Sequence, residues 1–240
     1  MKKIRLHLLI VSVLICGVIL TGCGGGNGST KGSKLHKNEY LGNLPALNDG
    51  YKTAVASLKE DYEVKGEKIT AGGTKNFEKL MKLQEERKGK EKEMKEKFQA
   101  DVKAELGNLT GKAIPVTFSD KLKESDMLFY NISDVTLTGE GGGPIISVTV
   151  TAKNDFTVPS RKGYDYTVYY RLMSSNGPVH NTTGTLAPIE LMREEQPFKK
   201  DFMLSKTTIP LPLARQATEL ATFTGIEFIS QEEYKETMGI

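Results

Sequence analysis

Residues 146–153 read ISVTVTAK and residues 164–173 read YDYTVYYRLM. In the first, Ile146, Val148, Val150 and Ala152 alternate with Ser147, Thr149, Thr151 and Lys153. In the second, Tyr164, Tyr166, Val168, Tyr170 and Leu172 alternate with Asp165, Thr167, Tyr169, Arg171 and Met173. Successive side chains of a strand point to opposite faces, so this period of two predicts half-buried strands. On either side, Val116–Ser119, Leu128–Thr138, Asn181–Ala187, Phe198–Ser205 and Leu220–Ser230 are further strand candidates. The phase slips between Ile132 and Val135, and Gly225 falls inside a strand; both predict bulges. Gly139–Pro144, Asn154–Gly163 and Ser174–Pro178 separate the strands, and Asn176-Gly177 signals a hairpin.

No long helical pattern interrupts the central strands, which excludes βαβ units. About seven short strands at this spacing predict an immunoglobulin-like antiparallel β-sandwich over residues 113–240. Ser230-Gln231-Glu232-Glu233 matches a capping box and predicts a short C-terminal helix. Upstream the period changes. Tyr51, Val55, Leu58 and Tyr62 are spaced 4, 3, 4, as are Met94, Phe98, Val102 and Leu106 at 4, 4, 4, which is helical spacing. Ala71-Gly72-Gly73 breaks the run, Thr74 is a candidate N-cap and Gly107 a candidate C-cap. Two antiparallel helices are expected, at about 45–70 and 75–106, within a hairpin region of residues 44–112. The fold class is thus α+β, a helical hairpin followed by the sandwich. The change of period near Gly107–Ala113 predicts a boundary beyond which 113–240 folds by itself.

Gln84 to Lys97 reads QEERKGKEKEMKEK, with Met94 its one apolar residue. Glu78–Lys82, Glu86–Lys90, Glu91–Lys95 and Glu93–Lys97 fall at i,i+4 in the favourable order. Such a stretch reads as a solvated limb, its apolar seam too sparse for a sustained coiled-coil heptad.

The N-terminus, MKKIRLHLLIVSVLICGVILTGC, sets Lys2, Lys3 and Arg5 before an apolar run, Leu8–Leu20. That run is short for a membrane span and fits a signal peptide over residues 1–22. Leu20-Thr21-Gly22-Cys23 resembles the lipobox of bacterial lipoproteins. The resemblance implies cleavage before Cys23, which becomes the mature N-terminus, its diacylation with palmitate-class chains, and stable anchoring without a spanning helix. Residues 23–43 then read as the lipidated cysteine and a Gly/Ser/Lys linker.

The chain has 240 residues, 33 Lys+Arg and 30 Asp+Glu. Removing residues 1–22 takes away Lys2, Lys3 and Arg5 and no acid, which leaves a neutral chain with no electrostatic footprint for nucleic acid. His36, His180 and Cys23 are then the only histidines and cysteine. That composition excludes a disulfide framework, Cys-rich zinc sites and most histidine-based catalysis. G-x-S-x-G, H-E-x-x-H, C-x-x-C and the P-loop pattern are all missing from the sequence. The Gly139–Pro144 glycines precede no helix that could cradle a phosphate. No catalytic residue, metal or cofactor is expected.

A lipobox, a charged hairpin and one small β-domain together resemble uncharacterised cell-envelope lipoproteins of gut Bacteroidota. Asn38-Glu39-Tyr40-Leu41-Gly42-Asn43-Leu44-Pro45 and Ile229-Ser230-Gln231-Glu232-Glu233-Tyr234 carry that likeness. It implies a lipid-anchored envelope protein, on the periplasmic face of the outer membrane in a Gram-negative cell. The expected function is a non-enzymatic structural or protein-interaction module. Its partners would be the membrane, through the lipid, and another envelope protein. The alternative class is a carboxylate-based hydrolase acting on envelope or dietary glycans. On the period-two strand, Tyr164, Tyr166 and Tyr170 share the face read as core. Tyr169 and Arg171 share the other, read as the candidate partner-binding face because Tyr and Arg favour interfaces.

Overall fold

The computed structural model describes residues 37–71, 76–122, 130–140, 143–152, 156–157, 167–186, 197–198 and 203–240. The signal peptide, Leu20, Thr21, Gly22, Cys23, His36, Thr74, Tyr164 and Tyr166 lie outside the described residues. Lys34–Ile240 form one compact unit.

Two helices open the described chain, α1 (Leu44–Thr70) and α2 (Phe77–Leu109). Strands follow: β1 (Val116–Phe118), β2 (Tyr130–Glu140), β3 (Gly143–Ala152), β4 (Phe156–Thr157), β5 (Val168–Ser174), β6 (Gly177–Pro178), β7 (Gly184–Leu186), β8 (Pro197–Phe198) and β9 (Met203–Pro210). The chain ends with α3 (Leu213–Leu220), β10 (Phe223–Ile229) and α4 (Gln231–Met238). The protein is α+β, a helical hairpin joined to a β-sandwich-like body with a short C-terminal helix.

One sheet runs β1-β10-β5-β6, with β7 also on β5; a second runs β2-β3-β9; β4 and β8 form a two-stranded ribbon. On β5 the alternation holds: Val168, Tyr170, Leu172 and Ser174 are buried, and Tyr169, Arg171 and Met173 are half-buried. Both expected irregularities are present. The β2–β3 register shifts between Ser133 and Thr136, where Asp134 adopts φ 50°. The β10–β5 register shifts between Phe223 and Gly225. Gly225 has φ 148°, and a Cβ there would stand 2.5 Å from the Pro115 carbonyl oxygen. The capping box forms in full: Ser230 Oγ accepts from Glu233 N, and Glu233 accepts from Ser230 N.

Several details differ from the sequence reading. β1 pairs with β10 in parallel, so the larger sheet is mixed. α3 occupies residues 213–219, assigned to no element in the sequence reading, and Leu220, read as the start of a strand; its Leu213, Ala217 and Leu220 are buried at i,i+4 and i,i+3 spacing, a pattern too short to stand out. α2 continues through Gly107 to Leu109, and the left-handed residue that follows it is Gly111, at φ 83°. Gly107 is therefore not the cap.

The largest correction concerns the linker, expected to run to residue 43. From Asn38 onward the chain is built into the body: Asn38 is 6% exposed and Leu41 0%. The Asn38 amide uses its full bonding capacity. Its Oδ1 accepts from Tyr40 N (2.9 Å) and Leu41 N (2.8 Å), an Asx turn. Its Nδ2 donates to the Ala221 and Phe223 carbonyls at 3.1 and 2.9 Å. Asn38 and Gly42 also exchange backbone hydrogen bonds. A linker-like composition hid one asparagine that ties the chain's entry to the end of α3 and the start of β10.

The core runs across the boundary expected near residue 113. One buried cluster unites Leu137, Ile146, Val148, Val150 and Ile209 of the β2-β3-β9 sheet with Leu172, Phe223, Ile226 and Phe228 of the other, and with Leu41, Leu44, Val102, Leu106 and Leu109 from the helical side. A Cβ on Gly139 of β2 would lie 2.8 Å from Leu106 Cδ1, so α2 sits directly on the strand backbone. Asn48 of α1 donates to the Leu213 carbonyl of α3 at 2.6 Å.

Candidate interaction surface

The face of β5 opposite the core holds the residues read as a partner surface. Strand pairing sets Glu227 of β10 directly across from Arg171. Oppositely charged cross-strand neighbours attract, and Arg171 Nε lies 2.6 Å from Glu227 Oε2. α4 then crosses this face. Glu233 brings its Oε1 to 3.9 Å from Arg171 Nη2, and the Tyr234 ring tilts against Tyr169 at 4.8 Å. The Arg171, Glu227 and Glu233 side chains are 21%, 17% and 9% exposed. Tyr169 and Arg171 are therefore brought together, under α4 and half-buried, and Arg171 is already committed to two carboxylates.

Glu233 is the centre of the cluster. The Ser119 hydroxyl, just past β1, lies 2.7 Å from both carboxylate oxygens, and Ser230 N donates to Oε2 at 3.0 Å. Burial alone would raise its pKa, the largest single influence. The hydrogen bonds from Ser119 and Ser230 and the Arg171 charge together outweigh it and hold the carboxyl below its ordinary value. The carboxylate is thus tied into the fold by Ser119, Ser230 and Arg171. Lys121 and Glu236 close the outer edge of the cluster at 3.2 Å.

A second polar cluster lies along the hairpin. Tyr62, 4% exposed, donates its hydroxyl to Glu86 Oε1 at 2.7 Å. Lys65 and Lys90 stand 4.6 and 5.4 Å from its ring centroid. The hydrogen bond from Tyr62, then that from Lys90, lower the Glu86 pKa. Of the four i,i+4 pairs read from the sequence, Glu86–Lys90 forms at 3.2 Å. Glu91 turns instead to Arg87 (3.5 Å), and Lys97 to Asp101 (3.5 Å).

His180 is exposed, and its backbone N–H donates to Glu219 Oε2 at 2.8 Å. Among the described residues no group of three or more His, Cys, Asp or Glu could hold a metal ion. Among the same residues no helix is long and apolar enough to cross a membrane. Tyr169 and Arg171 were legible as one strand face. Glu227, Glu233, Ser119 and Tyr234 were not legible as their partners. The capping box announced α4 without saying which surface it covers.

The fold and this cluster define an α+β protein whose charged β5 face is closed by its own C-terminal helix. No protein-family model, curated protein or solved structure matches the chain.

Proposed function

We propose that the chain is a membrane-anchored cell-envelope lipoprotein acting as a non-enzymatic structural or protein-interaction module. The observation that carries the reading is the ordered N-terminal sequence: Lys2, Lys3 and Arg5, the apolar run Leu8–Leu20, and Leu20-Thr21-Gly22-Cys23. Acylation at Cys23 anchors a chain without a spanning helix. The non-enzymatic half of the reading draws support from the β5 face, where the enclosed Glu233 carboxylate already holds α4 in place through Ser119, Ser230 and Arg171.

Recognition belongs to the same proposal in a specific form. The part of half-buried Tyr169 left exposed beside α4, together with Tyr234 and the outer side of α4, presents the surface, and Arg171 fixes the helix that carries it. Metabolic labelling with an alkyne palmitate, followed by envelope fractionation, tests the anchor. Wild-type chain should carry label and sediment with membranes, and Cys23→Ala should do neither. Labelled Cys23→Ala would overturn the reading. An envelope crosslink that survives Glu91→Ala with Lys95→Ala, but is lost in Tyr169→Ala with an unchanged melt, would place recognition on the β5 face.

A further inference from the structure

Large apolar side chains are exposed at two places among the described residues. Phe118, Met238 and Ile240 belong to the β1–α4 side, and Val64, Phe77 and Met81 to the closed end of the hairpin. The second set is anomalous. It tops an arm otherwise covered in Lys and Glu, and Phe77 is 63% exposed. Phe77 and Met81 are four residues apart on α2 and so share one face. Val64 stands two positions from buried Tyr62, which turns it away from the α1–α2 seam. Apolar groups that diverge in this way do not line one groove. A compact protein pocket would receive one of them, whereas a fluid apolar medium receives them all.

We propose that the closed end of the hairpin is a second, weak contact with a phospholipid bilayer, the one that carries the lipid on Cys23. The inference rests on the lipoprotein reading. Cys23 precedes the Asn38 turn by fifteen residues, and a chain of that length spans at most about 50 Å. Asn38 is at the base of the hairpin, and α1, with 27 residues, is about 40 Å long at 1.5 Å per residue. Lys68, Lys79 and Lys82 are exposed within the same turns. Their stems can lie along apolar side chains while the ammonium groups stay among anionic headgroups. Glu63, Glu67 and Glu78 occupy the same turns and keep the contact interfacial rather than deep. A few side chains hold a bilayer poorly by themselves. A chain already tethered within reach makes the contact intramolecular, with the effective concentration that a short linker supplies.

The chain contains no tryptophan, so Phe77→Trp introduces one unambiguous reporter. Residues 23–240, which include the whole compact unit, carry Cys23 as their sole thiol. They can be coupled through it to maleimide lipid in phosphatidylethanolamine–phosphatidylglycerol vesicles. Tethered Phe77→Trp should emit further to the blue than the same protein with Cys23 blocked. Bromine-labelled acyl chains should quench it, and a companion Met81→Asp should remove both effects. Phe118→Trp, the reporter on the β1–α4 side, should show neither. Unshifted, unquenched indole emission from tethered Phe77→Trp overturns the proposal, as does equal quenching of the Phe77→Trp and Phe118→Trp proteins. The chemical coupling does not depend on acylation in the cell. Failure here is therefore distinct from failure of the lipoprotein reading, which the palmitate label decides.

Discussion

The two ends of the helical hairpin are made of the same helices and held by different physics. At the base, Leu44, Val102, Leu106 and Leu109 enter the common core, and Asn48 bonds across to α3. In the arm, half-buried positions of α2 recur at Leu80, Leu83, Gln84, Arg87, Glu91, Met94 and Phe98, opposite half-buried Tyr51, Val55, Leu58, Gly66 and Ile69 and buried Tyr62 of α1. That is the three-and-four spacing of a coiled-coil seam, yet three of the α2 positions are polar. Arg87 Nε is 3.5 Å from Glu91 Oε1 but makes no hydrogen bond. The base is therefore stabilised by burial. The arm relies on the Tyr51–Phe98 stack at 4.4 Å, the Tyr62–Glu86 bond and exposed ion pairs worth about 0.2–0.5 kcal/mol each.

Separating the two ends should give the largest effect. Expressed alone, residues 113–240 lose Leu41, Leu44, Val102, Leu106 and Leu109 from the core. Each buried side chain of that kind is worth about 1.5–3 kcal/mol, and the sum is comparable to the roughly 5–15 kcal/mol that holds an entire domain. The fragment should melt without cooperativity by circular dichroism. The opposite deletion, residues 60–89 replaced by a short Gly/Ser turn, should leave a cooperative melt. A sharp transition in the 113–240 fragment would mean that the hairpin base is an accessory to the core rather than part of it.

Asn38→Ala probes the base at one residue. It leaves the Ala221 and Phe223 carbonyls and the Tyr40 and Leu41 amides without their side-chain partner. Buried groups left unpaired cost about 1–3 kcal/mol each, and solvent can reach part of this turn, so about 3 kcal/mol is expected in a denaturant titration. A change within about 0.5 kcal/mol, the size usual for surface sites, would show that the Asn38–Gly42 turn holds without its amide.

Glu233 supplies a pH-dependent term for the body, at an enclosed position, whereas the lowered Glu86 of the arm is exposed and screened by solvent. The Glu233 pKa lies below the ordinary 4.5 in the folded protein. The stability it contributes is therefore complete above that value and is lost as pH falls through the lower folded pKa. Glu233→Gln should cost about 1 kcal/mol at neutral pH, the scale of a helix cap, and should flatten the acid limb of a stability–pH curve. An acid limb unchanged in the variant would assign that limb to other carboxylates.

These contrasts also mark what the sequence could tell. Period two on β3 and β5, the bulge at Gly225 and the capping box at Ser230 are local signals, and each local signal has its counterpart in the fold. The Asn38 latch, the α4 roof over Arg171 and the parallel β1–β10 pair join residues far apart in the chain. Nothing in a neighbouring residue announces them. Asn38 sits in a stretch whose Gly, Ser and Lys content reads as linker, and its side-chain partners are backbone carbonyls and N–H groups, which leave no compositional trace. The arm misled differently. Its seam spacing was present in the sequence, but polar residues at Gln84, Arg87 and Glu91 concealed it from a search for apolar repeats.

The smallest effect tests whether the two ends melt together. Gly89 is in the arm, inside α2, and a Cβ there would meet nothing within 4 Å. Replacing an exposed interior helical glycine by alanine stabilises the helix by about 1 kcal/mol, roughly fivefold in its opening equilibrium. If the arm opens by itself before the body unfolds, as segments with few buried contacts do, the gain belongs to the arm alone. Amides around Glu86–Lys95 in Gly89→Ala should then exchange with solvent several times more slowly, while the melting temperature of the body stays fixed. The same change at Gly107, near the base and equally free of neighbours, should raise the melting temperature instead, because that turn unfolds only with the core. If Gly89→Ala raises the melting temperature as much as Gly107→Ala does, the arm and base form one cooperative unit, and the polar seam costs the hairpin less than its composition suggests.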